Sequence, residues 1–187
     1  MASTEPSVEH GPGARGALER ALGPGAAAVV AGGPTEGARG ATRLGVVCAR
    51  FNAEVTGRLL AGARGAWQAA GLEEADVVVV EVPGAFELPL AARALAVGRR
   101  VDTIACLGAV IRGETSHYDL VAGECAAGCQ RVQLDTGVPV AFGVVTTESL
   151  AQALARSGGD QGDKGAEAVE TALEMLAVLR AVEAVAG

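Results

Sequence analysis

Residues 76–82 read Asp-Val-Val-Val-Val-Glu-Val, a β-branched run with almost no polar alternation. β-branched side chains pack well on a pleated surface, and a strand without that alternation belongs in a parallel sheet covered on both faces. The segments around it agree. Leu44–Ala49 reads as a strand, and 54–70 as a helix closed by Gly71, a good left-handed cap. Pro83-Gly84 turns the chain into a helix over 86–97, with Pro89 tolerated in its first turn. A third strand covers 101–111, helical spacing runs over 120–134, and Gly137 ends that helix before a fourth strand over 138–145. Thr147 is placed to cap a helix over 148–156. The last helix, 164–185, puts Val169, Leu173, Leu176 and Leu179 on one face.

Strand and helix in strict alternation predict an α/β fold, a three-layer sandwich with a four-stranded parallel flavodoxin-like sheet flanked by helices on both faces. With 187 residues, 50% of them hydrophobic, the chain can bury one sizeable core. Residues 1–43 differ from 44–187: they hold four of the seven prolines and nine glycines, and they are expected to form a disordered or loosely held tail. Its four acids balance its four arginines, so the net charge of −7 belongs to the body, which repels nucleic acid. The apolar stretch 26–31 is too short for a signal-peptide core, which predicts a cytoplasmic protein. No apolar run approaches the roughly 20 residues that span a bilayer. The spacing of Cys48, Cys106, Cys125 and Cys129 suits neither zinc nor a disulfide framework, and Cys48 and Cys106 read as small hydrophobes within strands.

Chemistry concentrates in Gly108-Ala109-Val110-Ile111-Arg112-Gly113-Glu114-Thr115-Ser116-His117-Tyr118-Asp119, where a buried strand runs into a short polar loop. Open α/β sheets bind ligands at that carboxyl edge. His117 is the one histidine outside the tail, and its imidazole can move protons near neutral pH. Arg112, Gly113 and the hydroxyls beside it suit an anionic substrate; a histidine that merely caps the next helix is the competing reading. Lys164 is the sole lysine beside fourteen arginines, a hint that a compact amine is wanted there. Phe51 and Phe86 follow the carboxyl ends of strands one and two, where a flat ring could cover a heterocycle, whereas Phe142 reads as core. Two glycine-rich stretches are decoys. Residues 11–16 match a dinucleotide fingerprint by letter but no strand precedes them, and 158–165 is an interhelical connection.

Arg50-Phe51-Asn52, Pro83-Gly84-Ala85-Phe86-Glu87, the segment 108–119, Val138 to Thr147 and Asp163-Lys164-Gly165, in that order and spacing, closely resemble the 6,7-dimethyl-8-ribityllumazine synthase family. The resemblance runs from about Leu44 to the carboxyl terminus and leaves the tail uncovered. It implies condensation of 5-amino-6-ribitylaminouracil with 3,4-dihydroxy-2-butanone 4-phosphate, without metal or organic cofactor. It further implies that Phe51 stacks on the pyrimidine, that Ala85, Phe86 and Glu87 hold the ribityl chain and ring edge, and that Ala109, Val110 and Ile111 read the uracil through backbone groups. Glu114 and Thr115 fall on the phosphate-loop positions, Arg156 on the phosphate-binding arginine, Lys164 on a lysine near it, and His117 on the general acid/base. Phe142 and Arg156 would come from the neighbouring subunit. Members form pentamers or hollow shells of sixty subunits; the link 157–165 carries no insertion relative to shell-forming members, which favours the shell, and riboflavin synthase is a further candidate partner. The competing expectations are a non-catalytic lumazine-binding or shell-forming relative and a monomeric flavodoxin-like binding module.

Overall fold

In the computed structural model, which describes residues 42–186, the four apolar runs make one parallel sheet in the order β2-β1-β3-β4. The strands are β1 (Leu44–Ala49), β2 (Val77–Val82), β3 (Thr103–Ile111) and β4 (Val140–Thr147). The helices are α1 (Ala53–Ala69), α2 (Leu88–Val97), α3 (His117–Thr136), α4 (Leu150–Ala155) and α5 (Lys164–Ala186). The three-layer α/β expectation holds. On one face, Leu59, Leu60 and Trp67 of α1 and Val169 of α5 meet Leu44, Val46, Cys48 and Leu107. On the other, Leu88, Ala92 and Leu95 of α2 and Cys125, Cys129 and Val132 of α3 meet Val47, Ile104 and Cys106.

Two glycines allow helices to approach closely. A Cβ on Gly165 would overlap the Leu59 carbonyl, and one on Gly128 would press on the Pro89 ring. Gly71 (φ 83) and Gly137 (φ 74) adopt the left-handed conformation that stops α1 and α3, as their positions predicted.

β2 is the edge strand, the place a flavodoxin-like order gives it, and it is half-buried over most of its length, its valines alternating between the two core layers. Other details differ from expectation. The α4 cap is Ser149, whose Oγ accepts from the Gln152 amide at 3.3 Å. Thr147 remains in β4, paired with Ile111, and its hydroxyl donates to the Ser149 carbonyl at 3.1 Å. Between α4 and α5 lies a small antiparallel hairpin, β5 (Ser157–Gly159) and β6 (Gly162–Asp163). Asp163 closes it by accepting from the amides of Gly165 and Ala166, at 2.9 and 3.2 Å. Of the tail expected over 1–43, all but Thr42 and Arg43 lies outside the described residues. Those two are held by the body, the Arg43 amide by Asp102 at 2.7 Å and the Thr42 hydroxyl by Arg180 at 3.2 Å.

Candidate functional site

β3 outruns β1. Their pairing stops at Cys48↔Leu107, while β3 continues beside β4 to Ile111↔Thr147. Past Leu107, the β1-facing side of β3 therefore borders a crevice at the carboxyl edge, where the strand order reverses. Asn52 fills part of it. It sits in the left-handed region (φ 59, ψ 50), and its Nδ2 donates to the Ala109 carbonyl at 3.0 Å. Peptide groups in an extended strand point alternately to either side, so those of Ile111 face the crevice with those of Ala109. The Arg112 amide turns the other way, to the Thr147 carbonyl at 2.8 Å. The side chains of Ala109 and Val110 are buried, so what they offer a ligand is backbone.

Two aromatic rings flank the crevice. Phe51 follows β1 with its amide donating to the Pro83 carbonyl at 3.1 Å, and the residue is 40% exposed. Ala85-Phe86-Glu87 form a 3-10 turn between β2 and α2, with Ala85 buried, Phe86 57% exposed and Glu87 half-buried. Exposed aromatic residues carry surface that a folded chain would normally cover, so two of them after the carboxyl ends of β1 and β2 suit a flat, polar-edged ligand.

His117 is the first residue of α3 rather than the end of the loop, and it is exposed. Its amide donates to Thr115 Oγ1 at 3.3 Å, so the Thr115 hydroxyl shapes the helix entry. Gly113, Glu114, Thr115 and Ser116 are exposed, at the start of a 20-residue helix whose dipole favours an anion.

Arg112 is not the free cation that its position suggested. Its Nη1 and Nη2 donate to the two Asp119 carboxylate oxygens at 3.2 and 2.8 Å, and its Nε to Glu148 at 3.0 Å. The guanidinium carbon lies 4.0 Å from the centre of the Tyr118 ring. The hydrogen bonds that it donates to these carboxylates stabilise the charged guanidinium, and Arg112 in turn holds the Asp119 carboxyl below its usual range. Asp119, Glu148 and Tyr118, like Asn52, were not assigned roles from the sequence. The Arg112 and Asp119 charges either side of a short loop were the available signal; Glu148 is brought in only by the fold.

The remaining expected residues lie elsewhere. Phe142 is in mid-β4, opposite Cys106 and 42% exposed, five residues or roughly 16 Å back from the carboxyl end of its strand. It is not core. Arg156 and Lys164 are brought together at the hairpin, where the Lys164 amide donates to the Arg156 carbonyl at 2.9 Å. The Arg156 guanidinium donates to the Gln152 carbonyl at 3.0 Å, and the Lys164 amine is paired with Glu167. All four cysteines are free and buried; burial pushes the Cys48 thiol up to about 12. Among the described residues no cluster of His, Cys, Asp or Glu could hold a metal ion, and no helix is long and apolar enough to cross a membrane.

Comparison with known proteins points the same way. The family model described as 6,7-dimethyl-8-ribityllumazine synthase matches residues 41–180. A 6,7-dimethyl-8-ribityllumazine synthase of Edwardsiella ictaluri (strain 93-146) is 50% identical over 143 residues, 76% of this chain and 92% of that protein. Another of the same name, from Syntrophus aciditrophicus (strain SB), is 48% identical over 140 residues, 75% of this chain and 91% of its own length.

Proposed function

The chain belongs to the 6,7-dimethyl-8-ribityllumazine synthase family, and from that premise we propose how its residues divide the work of the enzyme. The protein is a transferase of riboflavin biosynthesis. It condenses 5-amino-6-(D-ribitylamino)uracil with 3,4-dihydroxy-2-butanone 4-phosphate and releases phosphate and water. The site reading is carried by one observation: two exposed aromatic rings, the open side of β3 and the His117 loop share one carboxyl edge.

Phe51 stacks on the pyrimidine, while Ala85, Phe86 and Glu87 take its ribityl chain and edge. The backbone of Ala109, Val110 and Ile111 reads the uracil; because Asn52 already occupies the Ala109 carbonyl, the Ile111 peptide groups carry most of that contact. Main-chain amides at Glu114 and Thr115 receive the phosphate. Imine formation, phosphate elimination and ring closure all move protons, and His117 serves them in turn. The larger share of the rate comes from holding two substrates face to face, where orientation is worth up to ~7–11 kcal/mol.

Phe142 and Arg156 act on the neighbouring copy's site, and Lys164 lies near the phosphate that Arg156 binds. The support is their placement: Phe142 is displaced along β4 from its own crevice, and Arg156 and Lys164 cluster on the hairpin. Lys164 must then share its ammonium between Glu167 and the phosphate. The assembly we favour is a pentamer built into a sixty-subunit shell, working in the cytoplasm without a cofactor and with riboflavin synthase as a further partner. Mixing the two substrates with the purified protein and following lumazine absorbance tests the activity. Absence of lumazine from a folded oligomer would leave a non-catalytic shell.

A further inference from the structure

We propose that Arg112 is a positioning residue: its carboxylate clamp fixes loop 113–116 as the anion receptor, while the guanidinium itself stays off the anion. This rests on the reading of that loop as the phosphate site.

The clamp closes around the loop from both ends. Arg112 is the first residue past β3, anchored to β4 by its amide on the Thr147 carbonyl at 2.8 Å. Its Nη atoms reach across to Asp119 in the first turn of α3, at 3.2 and 2.8 Å, and its Nε reaches Glu148 just after β4, at 3.0 Å. The flat face of the guanidinium rests on Tyr118, 4.0 Å from the ring centre. Both ends of a four-residue loop are thus tied to one planar group. Only a guanidinium has this planar fork together with a stacking face; an ammonium is a point charge that can neither grip Asp119 with two parallel N–H bonds nor stack on Tyr118.

Charge explains why the phosphate does not bind there. One cation between two carboxylates carries a net negative charge, so a phosphate gains nothing by approaching it. The anion is left to the peptide N–H groups of the loop, and their convergence depends on how the loop is held. The same clamp sets the first turn of α3 and therefore the direction of His117.

The test compares Arg112→Lys, Arg112→Ala, Asp119→Asn and Glu148→Gln in the assembled protein. Steady-state kinetics is run with both substrates, and inorganic phosphate serves as a competitive probe. Arg112→Lys and Arg112→Ala are expected to raise the KM for the butanone phosphate and the Ki of inorganic phosphate roughly tenfold, leaving the KM for the pyrimidine within about twofold. Asp119→Asn and Glu148→Gln, which keep the arginine and cover the case in which the Arg112 variants do not fold, should each weaken phosphate by about threefold or more. Arg112→Gln combined with Asp119→Asn and Glu148→Gln removes every clamp charge and should still bind phosphate weakly. Wild-type phosphate affinity in that triple variant would mean that bare carboxylates, not loop geometry, were responsible, and would overturn the proposal. So would tighter phosphate binding in Asp119→Asn or Glu148→Gln, the mark of a guanidinium that contacts the anion directly. Unchanged phosphate constants in Arg112→Lys and Arg112→Ala, with Arg156→Ala still raising KM, would remove the clamp and spare the site. If Arg156→Ala and His117→Ala had no effect either, the site reading itself would fall.

Discussion

His117 and Arg156 do different work, and kinetics should separate them. Replacing an imidazole that takes part in proton transfers removes a contribution made in the transition state, so His117→Ala should lower kcat by about 10²–10⁴-fold and leave both KM values nearly unchanged. A guanidinium bonded to phosphate in substrate and transition state alike contributes about 1.5–3 kcal/mol, so Arg156→Ala should raise the KM for the butanone phosphate by roughly 10–150-fold. Steady-state measurement with each substrate varied in turn checks both. At the same scale, Asp119 sets an acid limit. Arg112 lowers its pKa, so the carboxylate's contribution is present above the unfolded-state pKa and is lost as pH falls through the lower folded value. The Asp119 arm of the clamp should therefore survive mild acid, and a carboxylate titration followed by NMR should place Asp119 below the usual aspartate range. Arg112→Ala should raise it.

At the scale of elements, the connections are where single changes should tell. Ser149→Ala removes the side-chain acceptor at the start of α4 and should cost about 1 kcal/mol, read as a lower thermal or denaturant midpoint. Gly165→Ala should do more, because a Cβ there meets the Leu59 backbone, which cannot rotate aside, and must push α5 off α1. Strand existence was legible in the sequence because buried parallel strands are unbroken apolar runs, and Gly71 and Gly137 marked helix ends because few other residues take a positive φ. The start of α3 was not legible. Its first turn, His117-Tyr118-Asp119, sets only Tyr118 against the core, so helical spacing emerged only from Leu120. β2's place at the sheet edge came with the flavodoxin-like order and not from its valines, which face both core layers wherever it sits. The crevice residues Phe51, Phe86 and His117 could be read from their positions after strand ends. The clamp could not, because Glu148 reaches Arg112 across 36 residues of chain.

At the scale of the whole molecule, the described surface leaves large apolar side chains uncovered on several elements, among them Leu120 and Leu134 of α3, Phe142 of β4 and Val182 of α5. So many on one small body favour association between copies. If each site joins His117 of one copy to Arg156 of the next around a closed ring, two inactive variants should rescue each other. Subunits carrying His117→Ala still supply Arg156, and subunits carrying Arg156→Ala still supply His117. A ring assembled from an equal mixture then contains intact sites at about a quarter of its interfaces, as random placement around a head-to-tail ring requires. Unfolding and reassembling the two variants together should recover roughly that fraction of wild-type turnover at low phosphate-substrate concentration, where each parent alone is slow. Recovery should require joint reassembly, since mixing preformed oligomers leaves every interface homogeneous. A jointly reassembled sample no more active than the mean of its parents would place His117 and Arg156 in the same subunit's site and remove the interface from the mechanism.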